Sequence, residues 1–140
     1  MIIFKENILK AEDVILFQRK MNWNVDSIEQ WEKSLKNSLF TVSAYDHDEL
    51  VGMGRLLGDG VIYWYLNDIF VLSEFQGKGI GREIVQRLID HIKKAGLSKT
   101  EVSVCLMSAM GKEGFYEKLG FRSRPHEYEG AGLELVLMID

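Results

Sequence analysis

The sequence predicts a mixed α/β fold, on three observations. Short apolar segments that alternate like strands are interleaved with longer segments whose apolar residues recur every three or four positions, as in helices. A β-branched segment, residues 61–71, passes through a glycine-rich loop into the amphipathic segment 80–95. The chain has 140 residues, of which 46% are hydrophobic. We therefore expect a single domain, residues 1–140, whose core needs neither a disulfide nor a metal.

The first half of the chain has the pattern of a strand, two helices and a hairpin. We predict a strand at 1–7, helices at 11–21 and 27–37, and hairpin strands at 39–45 and 50–57. Asp26 and Glu29 are spaced like a cap for the second helix. The turn at 46–49 is acidic and contains His47. Adjacent residues in a tight turn rarely converge on one ion, so we predict a solvated turn and no metal site.

The second half contains the longest strand and the longest helix. We predict strands at 61–71, 100–106 and 133–139, and helices at 80–95 and 113–119. Gly96 and Gly120 are expected to end the two helices, Gly96 as a left-handed cap. If strand 61–71 is regular, Tyr63, Tyr65, Asn67 and Ile69 share one face, and Trp64, Leu66, Asp68 and Phe70 share the other.

The glycine-rich loop between strand and helix has the features of an anion site. The first N–H groups of a helix lack partners within the helix, and the helix dipole makes that end partly positive. Gly77, Gly79 and Gly81 remove side chains that would block a phosphate, and Lys78 and Arg82 add positive charge. The alternative is a connection that only lets the helix pack close to the sheet.

The spacing of the glycines excludes one phosphate loop and disfavours another. No lysine here is followed by Ser or Thr in the frame of a Walker loop. The dinucleotide fingerprint needs a third glycine where this chain has Arg82. A nucleotide-binding domain therefore remains only a competing hypothesis.

Composition sets the class of partner. The formal net charge is −4 and basic residues are dispersed, so we expect no nucleic-acid partner. No apolar segment approaches the ~18 residues of a spanning helix, and Lys5 and Glu6 interrupt any signal-peptide core, so we expect no membrane partner. With a single cysteine, Cys105, a reducing cytoplasm is the expected location, and a homodimer is a common state for such domains.

Two motifs resemble those of the GNAT acetyltransferase superfamily. Gln76-Gly-Lys-Gly79-Ile-Gly81, preceded by Val71-Leu-Ser-Glu-Phe75, resembles its acyl-CoA-binding loop. Phe115-Tyr-Glu-Lys-Leu-Gly-Phe121 resembles its late signature. The resemblance implies one central, mostly antiparallel sheet of six to seven strands with a splayed parallel pair, flanked by about four helices. It also implies that strand 61–71 carries a bulge, which would swap the faces beyond it.

The resemblance further implies acetyl-CoA as cofactor. The residues implied to bind it are Ile69, Phe70, Val71, Gln76, Gly77, Lys78, Gly79, Ile80, Gly81 and Arg82. In this family the connection between the first two helices forms a wall of the acceptor site. Trp23 is therefore either an acceptor contact or a plug of the core, and the second use is the more common one.

By the same resemblance, Tyr116 is the general acid that protonates the leaving sulfur. The base is less determined: Asp68, Glu74 or a water chain could accept the proton of the amine, while Asp68 could equally make a structural hydrogen bond. We expect an acetyl-CoA-dependent N-acetyltransferase that acts on a primary amine of a small molecule or a protein, by direct attack in a ternary complex. The alternative is a non-catalytic module that binds or senses acyl-CoA.

Overall fold

The computed structural model describes all 140 residues and divides them into two compact units, Met1–Leu106 and Met107–Asp140. The strands are β1 (Ile2–Glu6), β2 (Phe40–Asp46), β3 (Glu49–Gly58), β4 (Tyr63–Val71) and β5 (Ser103–Leu106). The helices are α1 (Ala11–Lys20), α2 (Ile28–Lys36), α3 (Ile80–Ala95) and α4 (Glu113–Lys118), and a 3₁₀ turn covers Ser73–Phe75. All five strands lie in the first unit and α4 lies in the second.

The sheet follows the order of the chain, β1-β2-β3-β4-β5. The first three pairings are antiparallel and the pairing of β4 with β5 is parallel. A parallel pair needs a long crossover, and α3 supplies it. The prediction of a mixed α/β fold with a mostly antiparallel sheet, one parallel pair and four helices is confirmed.

The predicted number of strands, six to seven, is wrong because the sheet has five. Residues 133–139, expected to be the last strand, form no strand, and the six large apolar side chains among them are between 69% and 90% exposed. An alternating apolar segment becomes a strand only when a neighbouring backbone pairs with it and a half-buried surface receives its side chains. Neither condition is met here.

The two faces of the sheet carry different helices. On one face, Met53 of β3 is fully buried in a cluster with Ala11 and Val14 of α1 and Trp31 of α2. Successive residues of a strand point to opposite faces, so Gly54 points to the other side. There it lies beneath Ile84 and Leu88 of α3. Strands β3 and β4 are therefore covered on both faces, which explains the long apolar sequence of β3.

Two predicted helix caps differ from those observed, and the predicted ends of α1, α2 and α4 differ by one residue. Ser27, not Asp26, caps α2: its hydroxyl accepts the N–H of Gln30 at 3.1 Å, and the Gln30 side chain accepts the N–H of Ser27 at 3.2 Å. Asp26 instead accepts a hydrogen bond from Gln18. Gly96 is extended, with φ −66° and ψ 158°, so the prediction of a left-handed cap there is wrong. The chain leaves α3 through this extended residue and then makes a turn at 98–99, where Lys99 has φ 61°, before β5 begins.

Candidate active site

A β-bulge interrupts β4 where it approaches the glycine-rich loop. Asn67 pairs with Arg55 and Phe70 pairs with Met53, so Asp68 and Ile69 together lie opposite Gly54. Asp68 has φ 54°, a left-handed conformation that is uncommon for residues other than glycine. The bulge implied by the family resemblance is therefore present, between Asn67 and Phe70.

The bulge reverses the alternation of the strand, as expected. The Ile69 side chain points to α3, where its Cδ1 lies 2.8 Å from the position that a Cβ on Gly54 would take. Phe70 points to the opposite face and stacks on Phe17 of α1, with ring centroids 6.3 Å apart. Simple parity, which would put Phe70 with Trp64, thus fails beyond Asp68.

The far side of β4 has a strand partner over only part of its length. Its pairing with β5 runs from Tyr63 to Leu66, opposite Ser103 to Leu106, and stops there. From Asn67 to Val71 no strand of the sheet lies on that side. This open edge includes Ile69, Phe70 and Val71. Unpaired backbone groups on a strand edge can take an extended ligand as an additional strand.

The loop that follows β4 is shaped by glycines with positive φ. Gly77 has φ 78° and Gly79 has φ 82°, and a Cβ added to either would meet nothing within 4 Å. Gly79 is the N-cap of α3, and no side chain caps the helix. The N–H groups of the first helical turn, at Ile80, Gly81 and Arg82, are therefore open to an outside acceptor.

The cations beside this loop are not neutralised by the protein. The Lys78 ammonium lies 5.2 Å from the centre of the Phe75 ring. Neither Lys78 nor Arg82 has a carboxylate within 4.0 Å. The Gln76 amide donates to the carbonyl of Val71 at 3.0 Å, which closes the loop on the end of β4. The loop is held in shape while its charge remains available.

Asp68 is engaged in an ion pair. Its carboxylate accepts from Nε of Arg55 at 2.7 Å, and the Arg55 side chain is 10% exposed. Sequence reasoning missed Arg55. A signal was present, because it is the one charged residue among the apolar and glycine residues 50–57. Of the alternatives for the base, Glu74 is exposed in the 3₁₀ turn.

Trp23, in the connection between α1 and α2, is neither a buried plug nor a free side chain. Its ring meets that of Phe70 edge-on at 4.5 Å, and the residue is 39% exposed. It is therefore a surface aromatic residue beside the open edge of β4. Its exposure rules out the plug of the core, and contact with the acceptor stays a prediction.

Tyr116 belongs to the second unit, where it lies in α4. Its ring makes edge contacts with Phe115 at 5.0 Å and with Phe121 at 5.9 Å, and the carbonyl of Tyr116 accepts the N–H of Phe121. Burial raises the pKa of its phenol above the ordinary value of 10. The phenol is thus protonated at neutral pH, which is the state that a proton donor needs.

Other features of the chain lie apart from this region. A cavity of about 300 Å³ between α1 and the β2–β3 hairpin is lined by no residue of β4 or of the glycine loop. The structure has no group of three or more His, Cys, Asp or Glu side chains arranged to share a metal ion. None of its helices combines the length and apolar character that crossing a membrane requires.

Comparison with known proteins identifies a family model and a relative that each match most of this chain. The family model described as acetyltransferase (GNAT) domain matches residues 10–139. A protein named uncharacterized N-acetyltransferase ycf52-like, from Prochlorococcus marinus, is 29% identical over 111 residues. That match covers 76% of this chain but only 59% of the Prochlorococcus protein.

Two solved structures are similar over nearly the whole chain. One is a protein of unknown function from meticillin-resistant Staphylococcus aureus, described as a probable acetyltransferase. It is 32% identical, with a TM-score of 0.84, and the match covers 98% of this chain and 100% of that one. The other is a GNAT-family acetyltransferase from Streptococcus pneumoniae, 31% identical with a TM-score of 0.74, covering 88% of this chain and 89% of that one.

Proposed function

This chain belongs to the GNAT acetyltransferase family, and we propose that it transfers an acetyl group from acetyl-CoA to a primary amine of a small molecule or a protein. The observation that carries the proposal is that an unpaired strand edge and an uncapped helix start follow one another along the chain. The free edge of β4, residues 67–71, leads through the 3₁₀ turn into the uncapped start of α3.

The chemistry of acetyl-CoA suits these features. Its pantetheine arm has amide groups that can pair with a strand edge, and we assign Ile69, Phe70 and Val71 to that contact. Its diphosphate suits the N–H groups of Gly77 to Arg82, with Lys78 and Arg82 as counter-charges. The open space at Gly77 and Gly79 supports this assignment, because a ligand rather than a protein side chain can take it.

In the proposed reaction the amine nitrogen attacks the thioester carbon, a C–N bond forms and the C–S bond breaks. Acetyl-CoA supplies the activated acyl group. A backbone N–H at the bulge is suited to polarise the carbonyl, a role in which one lost donor typically costs about 10²-fold or more in rate. Tyr116 gives its proton to the departing sulfur, and a phenol is suited to that role because it keeps its proton at neutral pH.

The amine must lose a proton before or during attack, and Glu74, Asp68 and water remain the candidates for accepting it. Glu74 is exposed, whereas Asp68 is paired with Arg55. The ion pair with Arg55 favours a structural role for Asp68, which was the alternative to its role as the base.

The decisive test is the release of free thiol from acetyl-CoA with a panel of alkylamines, arylamines and peptide amines. We expect release with at least one acceptor, and Tyr116→Phe should lower turnover by about 10²- to 10⁴-fold while leaving the dissociation constant of CoA unchanged. Tyr128→Phe is the matched control, because Tyr128 is a tyrosine of the same unit and is 79% exposed.

Binding of CoA without thiol release for any acceptor would favour the non-catalytic module. Equal turnover of Tyr116→Phe and wild type would remove Tyr116 from the mechanism. Failure to bind CoA would reject the proposal altogether.

A further inference from the structure

Arg55 is a buried cation, 9% exposed, that joins three elements of the first unit. Its Nε donates to Asp68 in the bulge of β4 at 2.7 Å. Its Nη1 donates to the hydroxyl of Ser38 at 3.0 Å and to the carbonyl of Ser34, in α2, at 3.2 Å. A guanidinium group can make such divergent bonds because its donors form a rigid planar fork.

The contacts continue to the connection between α1 and α2. The Arg55 guanidinium lies 5.2 Å from the centre of the Trp31 ring. The Trp31 indole donates to Gln18 at 3.2 Å, and Gln18 donates in turn to Asp26 at 2.9 Å. One chain of polar contacts therefore links the bulge of β4 to the segment that contains Trp23.

The bulge contains a residue in an uncommon backbone conformation. Asp68 is held with φ 54°, and a non-glycine residue in that region costs on the order of 1–3 kcal/mol unless its surroundings impose it. The ion pair with Arg55 is the contact that fixes the Asp68 side chain. The oxygen that faces Arg55 is occupied, so proton acceptance there would require the ion pair to break.

We infer that Arg55 and Asp68 form a positioning pair for acetyl transfer. Arg55 holds the bulge of β4 and the end of α2 in one arrangement, and Asp68 is its counter-ion rather than the base that deprotonates the amine. The inference rests on the proposed function, because the bulge precedes the residues assigned to the thioester arm.

The test compares two conservative variants with the wild-type chain. Asp68→Asn keeps the shape of the side chain and an oxygen that can accept from Arg55, but it cannot take up a proton at neutral pH. Arg55→Lys keeps the charge but replaces the planar fork, whose separate nitrogens bond to the bulge and to α2, with a single ammonium nitrogen. For each we would measure kcat, KM for acetyl-CoA and for the fastest amine, and the pH profile of kcat/KM.

We expect the pH profile of Asp68→Asn to superimpose on that of wild type apart from a uniform decrease. Arg55→Lys should lower kcat by about 10- to 100-fold, as small displacements of reacting groups do, with a smaller change in KM for the amine. A profile of Asp68→Asn that loses or shifts its acid limb, or an Arg55→Lys variant with wild-type kcat, would overturn the inference.

The kcat and the pH profile of each variant relative to wild type test this inference. The activity of the wild type itself tests the proposed function. Thermal unfolding of both variants, followed by circular dichroism, identifies any loss that comes from unfolding. Asp68→Asn is the milder change, so its pH profile tests the role of Asp68 even if Arg55→Lys fails to fold.

Discussion

The loop that leads into α3 and the strand β3 beneath the body of that helix use glycine in opposite ways. In the loop, a Cβ added to Gly77 or Gly79 would meet nothing within 4 Å. Under the body of the helix, a Cβ on Gly54 would lie 2.7 Å from Cγ2 of Ile84 and 2.8 Å from Cδ1 of Ile69. The loop at the start of α3 therefore has free space around its glycines, whereas the body of the helix packs closely on the sheet.

This difference bears on the two interpretations of the glycine-rich loop. If the loop served only to bring the helix close to the sheet, its glycines would be the crowded ones. Crowding occurs instead at Gly54 and at Gly52, where a Cβ would lie 3.1 Å from Cδ1 of Ile84. The difference supports the loop as a ligand site and assigns close packing to the glycines of β3.

The strongest test of the closed interface is Gly54→Ala. The added methyl group must displace Ile84 or Ile69, and overpacking of this kind typically costs about 1–3 kcal/mol. We expect the midpoint of urea denaturation to fall accordingly. Gly114→Ala is the control, since a Cβ there meets nothing within 4 Å and alanine favours a helix by about 0.5–1 kcal/mol. Equal midpoints for both variants would mean that the interface is not tightly closed.

The corresponding test of the open end is Gly79→Ala. Here the space is free but φ is 82°, a conformation that costs an L-residue about 1–2 kcal/mol. The free energy of unfolding should therefore fall by no more than in Gly54→Ala. The free energy of CoA binding should fall by a larger amount, because the loop relaxes away from the strained conformation. Calorimetric titration of CoA measures the second effect. Unchanged affinity for CoA would show that this loop does not bind the cofactor.

Charge at the open end is tested by Lys78→Gln and Arg82→Gln. Both side chains are exposed, and an exposed charge pair is worth about 0.2–1 kcal/mol. We expect each change to weaken CoA binding up to about fivefold, less so at high salt. Lys93→Gln, at the other end of α3, is the control and should leave affinity unchanged. A control that weakens binding equally would indicate a general charge effect and not a site.

The smallest expected effect concerns His91, within the closed interface. Its ring stacks on Phe40 at 3.9 Å, and Trp64 meets it edge-on. Burial lowers the pKa of His91, an effect that nearby Lys94 adds to and Glu6 opposes. Because the folded state favours the neutral ring, its contribution to stability is present above pH 6.5 and is lost as the pH falls further.

We expect this loss to be under about 1 kcal/mol, because the ring is partly solvated. His91→Phe should remove the part of the acid destabilisation that depends on this residue. Thermal unfolding at about pH 7.5 and about pH 5.5 measures the difference. Parallel curves for variant and wild type would show that protonation of His91 is not coupled to folding.

Features that depend on neighbours in sequence were largely predictable. The boundaries of α3 follow from its repeating apolar positions and from Gly79, which starts it with φ 82°. The turn between β2 and β3 contains His47 with φ 55°, in agreement with the solvated turn expected there. The cap of α2 was misplaced by one residue, because Asp26 and Ser27 both suit the role, and the structure gives Ser27 the reciprocal bonds with Gln30 while Asp26 accepts from Gln18.

Local sequence alone determined that this chain would have a strand, a loop of glycines and a helix in succession, because propensity, periodicity and positive φ act over a few residues. The tertiary structure decided what distant residues do to one another: the bulge opposite Gly54, the ion pair of Asp68 with Arg55 and the absence of a strand at residues 133–139. Each of these depends on which backbone or charge arrives beside it from elsewhere in the chain, and that partner cannot be read from the segment itself.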